Sequence, residues 1–415
     1  MYLSLRDQPA ADQPGSTSQV APKVARTVVL LGIVSLLTDV SSEMVSAVLP
    51  VYLTVQVGLG VLAYGFIDGL YQGVSATVRI VGGYTGDRSG RPKWVATVGY
   101  GVSALSRLGL LLAHGFGAIS AVVTADRLGK GLRTAPRDAL IADASPSQAL
   151  GRAFGVHRAL DTVGAAAGPV LAFALLAAVP GGYDSVFVVS FAFALVGVAV
   201  LVLLVPDRRT RPAGPRLSPR QLARAVTARV LRRPMLAVAV LGLLTVGDGF
   251  LYLSLQQRES FDPAWFPLLY VGTNLVYLIL AIPIGRLADR LGRATVFLAG
   301  HVVLLAAYLV GAGPFGGVAA TALTLVLLGT FYACTDGVLA ALVSRLVPAQ
   351  VRGSGIASAQ TVVALARFGS SVAFGAIWYT IGRTPALLIM AVALAAALPF
   401  VAWLLRPADR VAVAA

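Results

Sequence analysis

The chain has 415 residues, 57% of them hydrophobic and only 12% charged, with a mean hydropathy of +0.81. Soluble domains carry roughly 25% charged residues, and a soluble surface this poor in polar groups would aggregate, so a soluble enzyme, a disordered protein and a coiled coil are excluded. Basic residues outnumber acidic ones by 33 to 18, a formal net charge of +15, and Cys334 stands alone, which leaves no disulfide framework and no cysteine-rich metal site.

Residues 1–26 are polar, contain Pro9, Pro14 and Pro22, and read as a disordered tail rather than a cleavable leader. A membrane helix needs about 20 apolar residues. Twelve stretches qualify: 27–55, 62–83, 94–113, 116–136, 152–178 and 184–205, then 234–256, 264–285, 294–313, 317–343, 354–379 and 384–405. They lack the alternating ten-residue pattern of outer-membrane strands. The expected fold is therefore an all-α integral membrane protein of 12 transmembrane helices. Its parts are an N-terminal six-helix bundle at 27–205, a basic linker at 206–233, a C-terminal six-helix bundle at 234–405 and a short tail at 406–415.

Loop arginines and lysines set orientation. Those of the N-terminal tail, of the 2–3, 4–5, 8–9 and 10–11 loops, of the linker and of the C-terminal tail fall on one side, including Arg91, Lys93, Arg133, Arg137, Arg286 and Arg345. Only Arg258 and Arg383 fall on the other. Both termini are thus expected in the cytoplasm of a multi-pass protein of the cell membrane. The positive charge is a topology signal, and nucleic acid is not an expected partner. Within the linker, Ser218 can cap a short helix opened by Pro219, with Arg220 and Arg224 on one face. Such a helix lies on anionic headgroups, unless the segment is simply a solvated linker.

The loop after span 2 contains Gly83, Asp87, Arg88, Gly90 and Arg91, and the loop after span 8 contains Gly285, Asp289, Arg290, Gly292 and Arg293 in identical spacing. Pro146 and Gln148 recur at the same offset as Pro348 and Gln350. Two features repeating at one offset indicate an internal duplication, an architecture known among transporters. With the twelve spans and their 6+6 division, this doubled motif resembles the major facilitator superfamily of secondary transporters over about residues 27–405. The resemblance implies that the motif latches the cytoplasmic face in one conformational state. Its glycines permit close helix approach, and its aspartates face helix N-termini.

Span 5 carries Gly155, Gly164, Gly168 and Pro169, which resembles the pattern of proton-coupled exporters within that superfamily, with Ala172 where a further glycine is usual. Ordinary small-residue packing would also account for these glycines. Spans 1, 4, 7 and 10 are implied by the resemblance to line a central cavity, and several intramembrane charges fall on them. Asp39 and Glu43 lie one turn apart on span 1. Span 4 holds Asp126, Arg127 and Lys130, and its Arg127 with Gly131 matches the core of a family motif whose arginine takes part in proton coupling. Asp39 and Glu43 are the expected proton carriers, with Arg127 as their partner; the alternative is a permanent ion pair such as Asp126–Lys130. Asp126, Lys130, Asp248, Tyr252, Asn274, Tyr277 and Asp336 are the expected cavity and substrate contacts. Arg158 and Asp161 are read as a local pair, Arg79, Arg107 and Arg367 as bridging or snorkelling residues, and His157 as an ordinary helix-end residue.

No nucleotide loop, metal-ligand cluster or catalytic triad spacing is present, so the chain is not expected to be an enzyme. The expected function is proton-coupled antiport that exports a small organic molecule by alternating access. The other readings are a proton-coupled symporter importing a metabolite and a non-transporting receptor or assembly protein. No cofactor beyond the proton gradient is expected, and the expected partners are a small-molecule substrate and membrane lipids around a monomer.

Overall fold

A computed structural model describes residues 24–146, 149–207, 229–314, 316–346 and 352–413. The N-terminal tail, the Ser218 segment of the linker, and Gln148, Pro348 and Gln350 lie outside the described residues. The described chain is helical throughout. Helix α1 (Arg26–Val51) continues into a π-turn at Tyr52–Gln56, followed by α2 (Val61–Ser89), α3 (Pro92–Leu112), α4 (Gly115–Asp143), α5 (Leu150–Ala178) and α6 (Tyr183–Leu204). Beyond the linker come α7 (Arg229–Leu243), α8 (Asp248–Glu259), α9 (Phe266–Leu291), α10 (Arg293–Ala312), α11 (Gly317–Thr335), α12 (Val338–Leu346), α13 (Arg352–Ile381) and α14 (Arg383–Val413).

Ten helical stretches are long and apolar enough to cross a membrane. Helices α2 and α4, both 29 residues long, do not meet that apolarity. The reason in α4 is its load of Asp126, Arg127, Lys130, Arg133, Arg137 and Asp138. Sequence reading ended the fourth span at 136 and placed Arg133 and Arg137 in a loop. The structure corrects this: both lie inside α4, where Arg133 is buried beneath Tyr100 with its guanidinium 4.4 Å from the ring. Lys93, also taken for a loop residue, is 5% exposed and donates to the Val202 and Val205 carbonyls at 2.9 and 2.7 Å, closing the otherwise unpaired C-terminal end of α6. A basic residue near a helix end thus serves capping as well as topology.

Two expected single spans are broken. The seventh divides at Leu244–Gly247 into α7 and α8, and Tyr308 of α10 bridges the gap: its hydroxyl donates to the Leu244 carbonyl at 2.9 Å and accepts from the Val246 amide at 2.7 Å. The tenth divides at Asp336–Gly337 into α11 and α12, with Gly337 at φ 77°. Backbone irregularity at membrane depth is tolerated where protein satisfies it or where it borders a cavity.

The repeated loop motif has a backbone explanation. Gly90 ends α2 at φ 61° and Gly292 ends α9 at φ 97°, a left-handed conformation that side-chain-bearing residues resist. The chain turns there directly into α3 and α10. Arg293 pairs with Asp289 at 2.9 Å and donates to the Ala341 carbonyl at 2.8 Å, tying the start of α10 to α12. The side chains of Gly83, Asp87 and Arg88 are outside the described ones.

Helices α1–α6 pack chiefly among themselves, as do α7–α14, and the main crossings between the two sets are α2 with α13 and α5 with α9. At the end away from the termini the hydrophobic core crosses between the sets, where Tyr64 of α2, Phe250 of α8 and Phe374 of α13 stack edge to face at 4.7 and 4.9 Å. At the opposite end each set keeps its own cluster, Val28, Leu31, Tyr100, Ile141 and Leu201 in one and Leu231, Val343, Ile356 and Ala359 in the other. Large apolar side chains such as Leu203 and Val392 point outward, as lipid contact requires.

Candidate functional site

Between the two sets lies a cavity of about 280 Å3. Helix α1 contributes Glu43, Ser46, Leu49 and Pro50, α2 contributes Tyr64, Asp68, Tyr71 and Gln72, and α4 contributes Lys130. From the other set come Asp248 and Gly249 of α8, Tyr270, Asn274 and Tyr277 of α9, Tyr332 of α11, and Asp336 at the α11–α12 break. Both helix breaks therefore open at the cavity wall, and each places an aspartate there.

Most of the expected cavity residues meet in this place: Lys130, Asp248, Asn274, Tyr277 and Asp336, with Glu43 from the expected proton carriers. Asp126 and Tyr252 do not face it. Asp126 is buried between α3 and α4, in an ion pair of 2.7 Å with Arg107 and in contact with Arg127 through its other oxygen. Tyr252 is fully buried and donates to Thr273 Oγ1 at 2.6 Å within its own helix set. Neither outcome is visible in spacing, because it depends on which side of the helix a neighbour covers.

Arg127 was expected beside Asp39 or Glu43. In this conformation its guanidinium instead engages Asp126 and lies 3.6 Å above the Tyr71 ring. The planar fork suits both contacts at once. Arg107 completes the cluster and donates to Ser41 and Ser42 of α1 at 3.3 and 3.1 Å. Asp126 therefore does not form the pair with Lys130 that sequence left open.

Asp39 and Glu43 share a helix but meet different surroundings. Glu43 reaches the cavity and accepts from Ser46 at 2.7 Å. Asp39 faces α4 and α5, 3.9 Å from Arg133 and with Asp161 of α5 close by. Asp161 also pairs with Arg158 at 3.1 Å, as expected, and with Arg137 at 3.9 Å. His157, read as an ordinary residue, is 3% exposed and bonded to Ser35 at 2.9 Å, and Ser35 accepts from Arg137. A continuous polar network thus runs beside the cavity through α1, α4 and α5.

The span-5 glycines divide in two. A Cβ on Gly168 would stand 2.8 Å from Glu43 Cβ and from the Val40 carbonyl, so this glycine lets α5 press against the carboxylate-bearing face of α1. Gly164 does the same against Leu36, and Pro169 is buried beside it. Gly155 has nothing near it.

Asp68 was missed in the sequence, although a carboxylate between Ile67 and Gly69 in a long apolar run was signal enough; attention to four spans excluded the second. It borders the cavity, accepts from Ser371 of α13 at 2.6 Å, and sits against Gly247 at the start of α8. Tyr332 donates to Asp248 at 2.6 Å. Arg79, expected to bridge, does so by donating to Gln360 at 3.2 Å. A neighbouring pocket of about 10 Å3, room for one water, lies between Gln72, Gly247, Tyr332 and Arg367.

The Major Facilitator Superfamily model matches residues 31–370 and 260–414, nearly the whole helical region. The chain belongs to the Major Facilitator Superfamily. An uncharacterized MFS-type transporter of Methanocaldococcus jannaschii is 29% identical over 365 residues, covering 86% of this chain and 89% of the relative. An uncharacterized protein of Mycobacterium bovis is 29% identical over 281 residues, covering 65% of this chain and 67% of its own. The fold is also that of the nucleoside transporter NupG (TM-score 0.76, 15% identity, 91% of this chain and 100% of the other). A POT family transporter solved with 5-aminolevulinic acid shares it too (TM-score 0.77, 13% identity, 92% and 96%). The chain is a multi-pass membrane transporter and not an enzyme.

Proposed function

We propose that this superfamily member is a proton-coupled antiporter that exports a small organic molecule from the cytoplasm across the cell membrane. The observation that carries the reading is the pairing of a cavity carboxylate with a cation-facing one on the same helix: Glu43 faces the substrate space, while Asp39, one turn away, lies 3.9 Å from Arg133. Movement of α1 against α4 and α5 would exchange these environments, and a carboxyl moved between water and a basic partner gains and loses a proton. Arg127 serves as the cation to which the α1 carboxylates turn in the alternate state, with Asp126 holding it meanwhile.

The loop arginines favour cytoplasmic termini. An apolar contact between the helix sets lies at the opposite end, which supports a state facing the cytoplasm, where an exporter loads. The tight α1–α5 contact at Gly164 and Gly168 supports the exporter pattern of span 5. The doubled loop motif acts as the cytoplasmic latch. The driving force is the proton gradient, with no cofactor, and a monomer suffices because the cavity is built from one chain.

In proteoliposomes, Glu43→Gln and Asp39→Asn should each abolish accumulation driven by a proton gradient while retaining solute exchange at zero gradient. Wild-type gradient dependence in both variants would remove the carrier assignment.

A further inference from the structure

The charge of the cavity is one-sided. Four carboxylates border it, Glu43, Asp68, Asp248 and Asp336, against the single cation Lys130. Among the described residues none of these four has an ion-pair partner within 4.0 Å. Glu43, Asp68 and Asp248 instead accept from neutral hydroxyls, those of Ser46, Ser371 and Tyr332. The basic side chains that could have balanced them are engaged elsewhere: Arg127 and Arg107 with Asp126, and Arg133 with Asp39 and Tyr100. Arg367 stands beyond Tyr332 in the neighbouring pocket, where its charge acts on Asp68, Asp248 and Asp336 from a distance without forming an ion pair or bordering the cavity.

The remaining wall is aromatic. Tyr64, only 2% exposed, borders the cavity with its hydroxyl pressed against Gly249 and no hydrogen-bond partner among the described residues. Tyr270, Tyr277 and Tyr332 border the same space. Tyrosine faces attract cations, and this wall already shows the contact, with Arg127 over Tyr71. With Lys130 and Arg367 counted, this region still carries more carboxylates than cations, and such charge at membrane depth is costly unless a counter-ion joins it.

We propose that the cavity is built for a small organic cation, an alkyl or aryl ammonium compound whose charged nitrogen sits between Asp68 and Asp248 and against the tyrosine rings. A cavity of about 280 Å3 fits a single-ring or short-chain amine. The proposal rests on the transport reading of the same cavity.

The full chain in lipid nanodiscs would be titrated by calorimetry with phenethylammonium and benzyltrimethylammonium, and with 3-phenylpropanol and 3-phenylpropanoate as neutral and anionic counterparts. Both cations should bind roughly tenfold or more tightly than the alcohol or the carboxylate. Asp68→Asn and Asp248→Asn should each weaken the cations by about tenfold or more, as loss of a desolvated charge partner does. Asp336→Asn, at an exposed position without side-chain hydrogen bonds, is the variant least able to disturb folding and should weaken them several-fold. Preference for the alcohol or carboxylate, no binding of either cation, or cation affinity unchanged in all three variants would overturn the proposal. Counterflow separates it from the transport reading. Cations bound but not moved would contradict transport and leave the site standing. Movement of the acid or alcohol alone would do the reverse.

Discussion

Asp126, between Arg107 and Arg127, is the most committed charge in the molecule. Removing one member of a buried charge cluster leaves the others uncompensated, at a cost of about 3–5 kcal/mol. Asp126→Asn should therefore lower the thermal unfolding temperature of the detergent-solubilised protein markedly, whereas Asp289→Asn, whose pair with Arg293 is largely exposed, should leave it within about 1 kcal/mol of the parent. Equal melting of the two variants would show that the cluster is not structural. At this scale the sequence was partly legible. It flagged Asp39, Glu43, Arg127 and Asp248 because a charge inside an apolar run has few tolerated explanations. It could not say which side chain each one meets: Arg127 turns to its neighbour Asp126, and Asp39 turns to Arg133 of another helix.

At the scale of elements, the broken seventh span and the α1–α5 contact carry most of the argument. Tyr308 supplies both a donor and an acceptor to backbone groups freed by the α7–α8 gap, so Tyr308→Phe leaves two of them unpaired and should cost about 1–3 kcal/mol in a melting experiment. At Gly168 any larger residue pushes α5 away from Glu43 and Val40, while Gly155 faces open space. Gly168→Val should reduce transport severely and Gly155→Val should not, measured as initial rates at equal protein in the membrane. The twelve hydrophobic stretches were readable from length and apolarity, and the twin loop motif predicted turns that Gly90 and Gly292 indeed make. The breaks at Leu244–Gly247 and Asp336–Gly337 carry local signals, Gly247-Asp248-Gly249 and the Asp336-Gly337 turn pair, but overall apolarity hides them, and what holds the first open is a side chain from another helix.

For the whole molecule, an apolar contact joins the helix sets at the end away from the termini, and the proposed cycle has the cavity open in this state toward the side bearing the termini. In a Cys334→Ser background, Asn274→Cys should react faster with an impermeant maleimide applied to that side than to the opposite face. A reversed preference would contradict the inward-facing assignment. The most direct test of the account is the direction of coupling. Proteoliposomes would be loaded with benzyltrimethylammonium, whose permanent charge prevents passive redistribution with pH, and given an acid exterior. Proton-coupled antiport predicts that inward proton flow drives the cation out through the protein, that dissipating the gradient stops the extra efflux, and that Glu43→Gln abolishes it. Efflux indifferent to the gradient, or cation movement in the same direction as the protons, would contradict the account.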